Sequence, residues 1–207
     1  MVVLLSVLTA VVFVGAGLVF VLTSGGTTED PLPAPAPDNT PAPVTTFSDP
    51  ETGITVQYPR AWQRVQVPVA DYRLAVNGGN NVAFTIRVVP IQLPATTQNL
   101  ENFKAVTDGL VGSNSTVQVL KQQAISLNGM LGYYYFYTFS DGPVQAVHAH
   151  YFLFSGHKMN ILVFQSLPDD FQNLAGTFDK IAESFRSDPN VPTTTTARAT
   201  TTTTARP

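Results

Sequence analysis

His148 and His150 stand two residues apart in a run of β-forming residues, so both imidazoles point to one side of a strand. That spacing can offer two nitrogen ligands to a metal ion. The third histidine, His157, falls in the next turn, and seven residues of strand set it roughly 23 Å from His150. It cannot complete a site within a straight hairpin, and Asp141, the nearest carboxylate in sequence, is displaced as well. The pair is expected to be structural, with no metal and no cofactor. Ser155-Gly156-His157 sets a hydroxyl beside an imidazole, but neighbours in one tight turn lack the third orienting group and the oxyanion site of a nucleophilic centre. Asn77 to Asn81 is glycine-rich yet leads into a strand, which makes it a hairpin turn and not a phosphate cradle. Asp169 and Asp170 read as charges at a helix start. No GxSxG, P-loop, GxGxxG or HExxH occurs. The expectation is a protein that is not an enzyme. What remains is Trp62, one turn after Pro59, and Tyr133, Tyr135 and Tyr137 on one face of a strand. Tyrosine joins apolar area to a polar tip. These four are the candidates for a binding surface or pocket, and each also suits a core position.

The elements that must position these residues are legible from the pattern. The chain has 207 residues, a net charge of −3 and no cysteine. Disulfides, zinc–thiolate sites and a cysteine-borne lipid anchor are excluded. Residues 44–188 carry nine Lys/Arg and eleven Asp/Glu with no basic stripe, so nucleic acid is not an expected partner. Residues 2–22 are an unbroken apolar run that as a helix spans about 30 Å, one hydrocarbon core. The run is longer than a signal-peptide core, and no Lys or Arg precedes Arg60. An uncleaved anchor is expected over 1–23, with a cleaved signal peptide as the other reading and a basic segment expected upstream of the given start. Residues 24–43 are a Pro/Thr-rich extended spacer. Residues 189–207 are a Thr-rich tail with too little apolar surface to order itself, of a composition that suits O-linked sugars. The globular part, 44–188, would therefore lie on the extracytoplasmic side of a cell membrane as a single-pass protein.

Within that part, strands are expected ending near Phe47, at Ile54–Tyr58, Tyr72–Val76, Val82–Ile91, Thr116–Leu127, Met130–Phe139, Gln145–Phe154 and Lys158–Ser166. Helices are expected at about Thr97–Val111 and Pro168–Phe185. The second carries one apolar stripe: Phe171, Leu174, Ala175, Phe178, Ile181, Ala182 and Phe185. Leu131 to Phe139 has aromatic residues on both alternating faces, which places it inside a sheet covered on both sides. The fold class is α+β: a three-layer α/β/α sandwich with one mostly antiparallel sheet, plus the N-terminal transmembrane helix.

Phe47-x10-Tyr58-Pro59-x-x-Trp62 resembles the opening of the Mog/PsbP-like superfamily. His150-Tyr151-Phe152-Leu153-Phe154 with Gly156 and Lys158, then Ile161 to Gln165, then Phe171 and Phe178 to Phe185, is similar to that superfamily's closing hairpin and helix. The nearest branch is the actinobacterial LpqN-type exported proteins, from which this chain departs by lacking the lipid-bearing cysteine. The resemblance covers residues 45–187. It implies an accessory, non-catalytic role, as in photosystem subunits, a Ran-binding protein and envelope lipoproteins. The expected function is a membrane-anchored docking domain for a larger envelope protein complex. The alternative is a carrier or sensor of a small apolar ligand such as a lipid.

Overall fold

The computed structural model describes residues 42–69 and 71–193. The expected span at 2–22, nearly all of the spacer and the tail from residue 194 lie outside the described residues. Among the described residues no helix is long and apolar enough to cross a membrane.

The elements run β1 (Val44–Asp49), β2 (Ile54–Pro59), β3 (Gln63–Arg64), β4 (Tyr72–Gly79), β5 (Val82–Pro90), α1 (Leu100–Val111), β6 (Gln118–Leu127), β7 (Met130–Asp141), β8 (Val144–Ser155), β9 (Lys158–Ser166), α2 (Phe171–Ser184) and β10 (Arg186–Ser187). Both helices start later than their periodicity suggests. Ahead of α1, the Asn99 side chain accepts from Thr96 N at 2.6 Å and donates to Pro94 O at 3.0 Å, which holds residues 94–99 as a turn. Ahead of α2, the carbonyls of Leu167 and Pro168 take the amides of Asp170 and Phe171. Asp169 and Asp170 thus precede the helix, and Asp170 makes no side-chain cap. The β4–β5 hairpin turns on Asn80 and Asn81, at φ 47° and 61°. Asparagine tolerates this left-handed region, so β4 runs on through Gly79.

The fold is α+β with antiparallel strand pairing, but it departs from the expected single sheet. The main sheet has seven strands in the order β3-β4-β5-β9-β8-β7-β6, and a second, three-stranded sheet has the order β1-β2-β10. β10 is only Arg186–Ser187, paired with Thr55 and Ile54. A two-residue strand leaves no periodic trace in sequence; it forms because α2 ends at Ser184 and Phe185 turns extended beside β2. β7 lies between β8 and β6, inside the sheet, as its two-sided aromatics require.

Side-chain alternation along the central strands gives the main sheet two buried faces. One collects Phe84, Ile86, Ala149, Leu153, Leu162 and Phe164 against Phe178, Ile181 and Phe185 of the α2 segment and Ile54, Val56 and Tyr58 of β2. The other collects Tyr133, Tyr135, Tyr137, Phe152, Phe154 and Ile161 against Leu100, Phe103, Leu110 and Val111 of α1. The helices therefore sit on opposite faces, with the small sheet alongside α2. Both interlayer spaces are filled by aromatic and branched side chains. Phe84 and Phe164 stack at 4.6 Å, and Phe178 meets Phe164 at 5.0 Å.

Candidate functional site

The residues with chemistry converge on the α1 side of the main sheet. β7 presents Tyr133, Tyr135 and Tyr137 there because they alternate along the strand. β8 pairs antiparallel with it and sets His150 opposite Tyr135 and His148 opposite Tyr137. The three tyrosine rings are nearly fully buried, at 3%, 1% and 6% exposure. Each hydroxyl then needs a partner inside the protein. Tyr133 OH donates to Leu100 O at 3.2 Å. Tyr135 OH donates to the Asp108 carboxylate at 2.6 Å, accepts from the Gln122 amide at 3.0 Å and lies 2.6 Å from the Thr107 hydroxyl. Tyr137 OH lies 2.9 Å from His148 Nδ1 and 3.1 Å from His150 Nδ1.

The electrostatics follow from this burial. Burial raises Asp108, but its hydrogen bonds from Lys104, Tyr135 and Gln122, with the Lys104 charge, prevail and hold its carboxyl below the usual range. Burial, then the hydrogen bond to Asp108, pushes Tyr135 up to about 12, and burial raises Tyr137 further. Burial drives His148 down to about 4 and holds His150 well below the ordinary histidine value. At neutral pH both imidazoles are uncharged and both phenols keep their protons. Nothing in the array is poised near pH 7 for proton transfer.

Trp62 is not part of this array. It lies half-buried on the α2 side, edge-on to Phe178 at 6.3 Å, and rests on Gly78 of β4. A Cβ on Gly78 would come within 2.8 Å of the indole, so the glycine is required for the ring to lie there. The structure thus brings three of the four candidate residues together and leaves the fourth across the sheet. Ser155 and His157 are separated in use as well. Ser155 Oγ donates to Ser187 O at 3.0 Å, while His157 Nδ1 faces Gln92 O at 3.1 Å. Among the described residues no group of three or more His, Cys, Asp or Glu side chains could hold a metal ion.

Two polar arrangements escaped the sequence reading. Arg87 of β5 pairs with Asp71 and lies over the Tyr72 ring at 5.2 Å. Lys158, at 1% exposure, donates from Nζ to Thr52 O at 2.7 Å and to Asp188 O at 2.5 Å. The one signal for Lys158 was a lysine opening a strand that is otherwise apolar on both faces. An open groove of about 300 Å3 lies by the small sheet, lined by Thr46, Thr55, Val56, Gln57, Ser184 and Arg186. There Ser184 Oγ accepts from Gln57 N at 2.9 Å and donates to Ile181 O at 2.7 Å, closing part of the β2 edge that β10 is too short to cover.

Comparison with known proteins places this architecture. The solution structure of cyanobacterial PsbP (CyanoP) from Synechocystis sp. PCC 6803 is similar at TM-score 0.58 and 15% identity, covering 74% of this chain and 98% of that one. LpqN, involved in cell envelope biogenesis of Mycobacterium tuberculosis, is similar at TM-score 0.50 and 16% identity, covering 71% and 91%. The Saccharomyces cerevisiae Ran-binding protein Mog1p follows at TM-score 0.48 and 7% identity, covering 73% and 99%. No curated protein sequence matches the chain. The PsbP family profile matches residues 42–187, from the segment before β1 to the last residue of β10. The chain belongs to the PsbP family.

Proposed function

We propose that this chain is a non-enzymatic accessory domain, tethered to a cell membrane by residues 2–22 with its globular part on the extracytoplasmic side, that docks on a larger envelope protein complex. The observation that carries the reading is how the interior is used. Both spaces beside the main sheet are filled with side chains, and the tyrosine hydroxyls are satisfied within the domain. A carrier of a lipid needs an enclosed apolar cavity of several hundred Å3. The groove by the small sheet is open, and Val56 is the single apolar residue among the six that line it. That arrangement favours binding by surface contact. Of the four candidate residues, half-buried Trp62 is the one a partner would meet first, since the three tyrosine rings lie beneath α1. Leu120 of β6, 60% exposed, lies at the opposite edge of the sheet from Trp62 and gives a second exposed position at which to probe for a partner. LpqN's involvement in envelope biogenesis supports the compartment. A proline-rich tether would raise the local concentration for partners on the same bilayer to roughly the millimolar range.

The test is photo-crosslinking in intact cells from Trp62 and from Leu120, with carbonate extraction of the membrane fraction. The expected outcome is a carbonate-resistant protein and one reproducible heavier adduct that weakens when the Pro31–Pro43 spacer is shortened. Co-purification of stoichiometric lipid without any protein adduct would replace docking by the carrier reading. A mature N-terminus near residue 25 would remove the anchor.

A further inference from the structure

The contacts around Tyr137 fix where each proton sits. The Gln165 amide nitrogen donates to Asn81 O at 3.4 Å, which turns its carbonyl oxygen toward His148 Nε2 at 3.1 Å. A carbonyl only accepts, so His148 carries its proton on Nε2 and a lone pair on Nδ1. The Tyr137 O–H therefore donates to His148 Nδ1. A phenol has one proton, so toward His150 the Tyr137 oxygen can only accept, and His150 Nδ1 must carry the hydrogen between them. By elimination His150 Nε2 is a bare lone pair, and this atom is buried without a hydrogen-bond partner. The two neutral rings are thus held in opposite tautomers along one chain: Gln165, His148, Tyr137, His150.

An added proton has two places to go. On His148 Nδ1 it displaces the Tyr137 donor and sets two ring N–H groups against one hydroxyl oxygen. On His150 Nε2 it makes a buried cationic N–H with no acceptor. The surrounding groups do not offset either outcome. β5 brings the Arg87 guanidinium, whose charge disfavours a cation at His150, and the Asp71 carboxylate is already paired with that arginine. β9 brings neutral Gln165, and β7 brings Tyr137. On α1 the charged groups are Glu101, whose carboxylate lies 3.4 Å from Tyr133 OH, and Lys104 and Asp108, which bond to each other, with Asp108 also taking Tyr135 and Gln122 of β6. We propose that this four-residue chain is an acid-triggered latch that ties β7, β8 and β9 together on the α1 side of the sheet: it is complete only while both imidazoles are neutral, and one proton taken up by either ring breaks it.

The direction follows from linkage. Burial lowers both histidines, His148 from 6.5 to about 4. Between those values the folded state binds fewer protons than the unfolded one. The latch's contribution is therefore full above about pH 6.5 and is lost as pH falls toward 4, with the opening constant rising up to ~10-fold per pH unit for each histidine.

The test uses the full chain, 15N-labelled. At pH 7.5 a long-range 1H–15N correlation should show His148 protonated on Nε2 and His150 on Nδ1; finding both rings in one tautomer overturns the assignment. Hydrogen exchange, corrected for intrinsic rate, should then show β7 and β8 around Tyr137, His148 and His150 opening at least tenfold more readily at pH 5.0 than at 7.5, with α2 changing less. His150→Gln should cut that pH response to the share carried by His148 alone. Equal opening at both pH values, or a response no larger in β7 and β8 than in α2, refutes the latch.

Discussion

Replacing Lys158 by methionine keeps the length and apolar stem of the side chain and removes only its charged head. Lys158 sits where the β8–β9 hairpin meets the segment after β10. Its ammonium bridges Thr52 O at 2.7 Å and Asp188 O at 2.5 Å, joining the β1–β2 turn to the residues after β10. The same junction holds Asp188 N on Gly53 O at 2.9 Å and Ser155 Oγ on Ser187 O at 3.0 Å. Thr52 is fully buried, so its abandoned carbonyl bears the desolvation penalty of an unmet acceptor, about 1–3 kcal/mol. Asp188 is exposed, and water can reach its carbonyl, so the loss there is about 0.5–1.5 kcal/mol. Against this, methionine no longer has to desolvate a charge, the same cost that lowers the Lys158 pKa. The expected net loss is ~1–3 kcal/mol, which at a urea slope of about 2 kcal/mol per molar moves the midpoint down by roughly 0.5–1.5 M. Urea titration followed by circular dichroism measures it, and hydrogen exchange locates it. The amides of residues 186–191 should lose protection first, ahead of α2. A loss under about 0.5 kcal/mol would mean that the carbonyls are readily rehydrated and that the ammonium is not what fastens this junction.

Phe178 is 1% exposed and packs on Phe164, Phe171 and Trp62, so Phe178→Ala should cost ~3–5 kcal/mol in chemical denaturation; a cost below ~1 kcal/mol would place the α2 stripe elsewhere. Gly78→Ala should lift the indole off β4, and because Trp62 is the chain's single tryptophan, a red-shifted emission maximum reports it directly, whereas an unchanged spectrum refutes the contact. Tyr135→Phe strips the donor to Asp108 and should cost ~1–2 kcal/mol, with the Asp108 carboxyl resonance titrating at higher pH than in the parent chain; an unmoved titration would show that the phenol does not hold that carboxylate. Gly132 of β7 faces Leu153 so closely that an added Cβ would run into the Phe152 carbonyl oxygen, and Gly132→Ala should lower the thermal midpoint by several degrees through displaced backbone.

Residues close in sequence determined a good deal unaided. The aromatics on both sides of Leu131 to Phe139 placed that strand inside a covered sheet, and the 3.6-residue stripe from Phe171 to Phe185 marked the helix that covers one face, because side-chain direction within an element is set by local backbone geometry. The same alternation put His148 and His150 on one face. What those imidazoles do there was decided by register: only the pairing of β7 with β8 and of β8 with β9 sets Tyr137 and Gln165 within hydrogen-bond distance. The second sheet likewise depends on where α2 ends, and the burial of Lys158 on Thr52 and Asp188, far away in the chain. Such contacts draw on backbone groups every residue possesses, so residue types along the chain carry no mark of them until the tertiary structure closes.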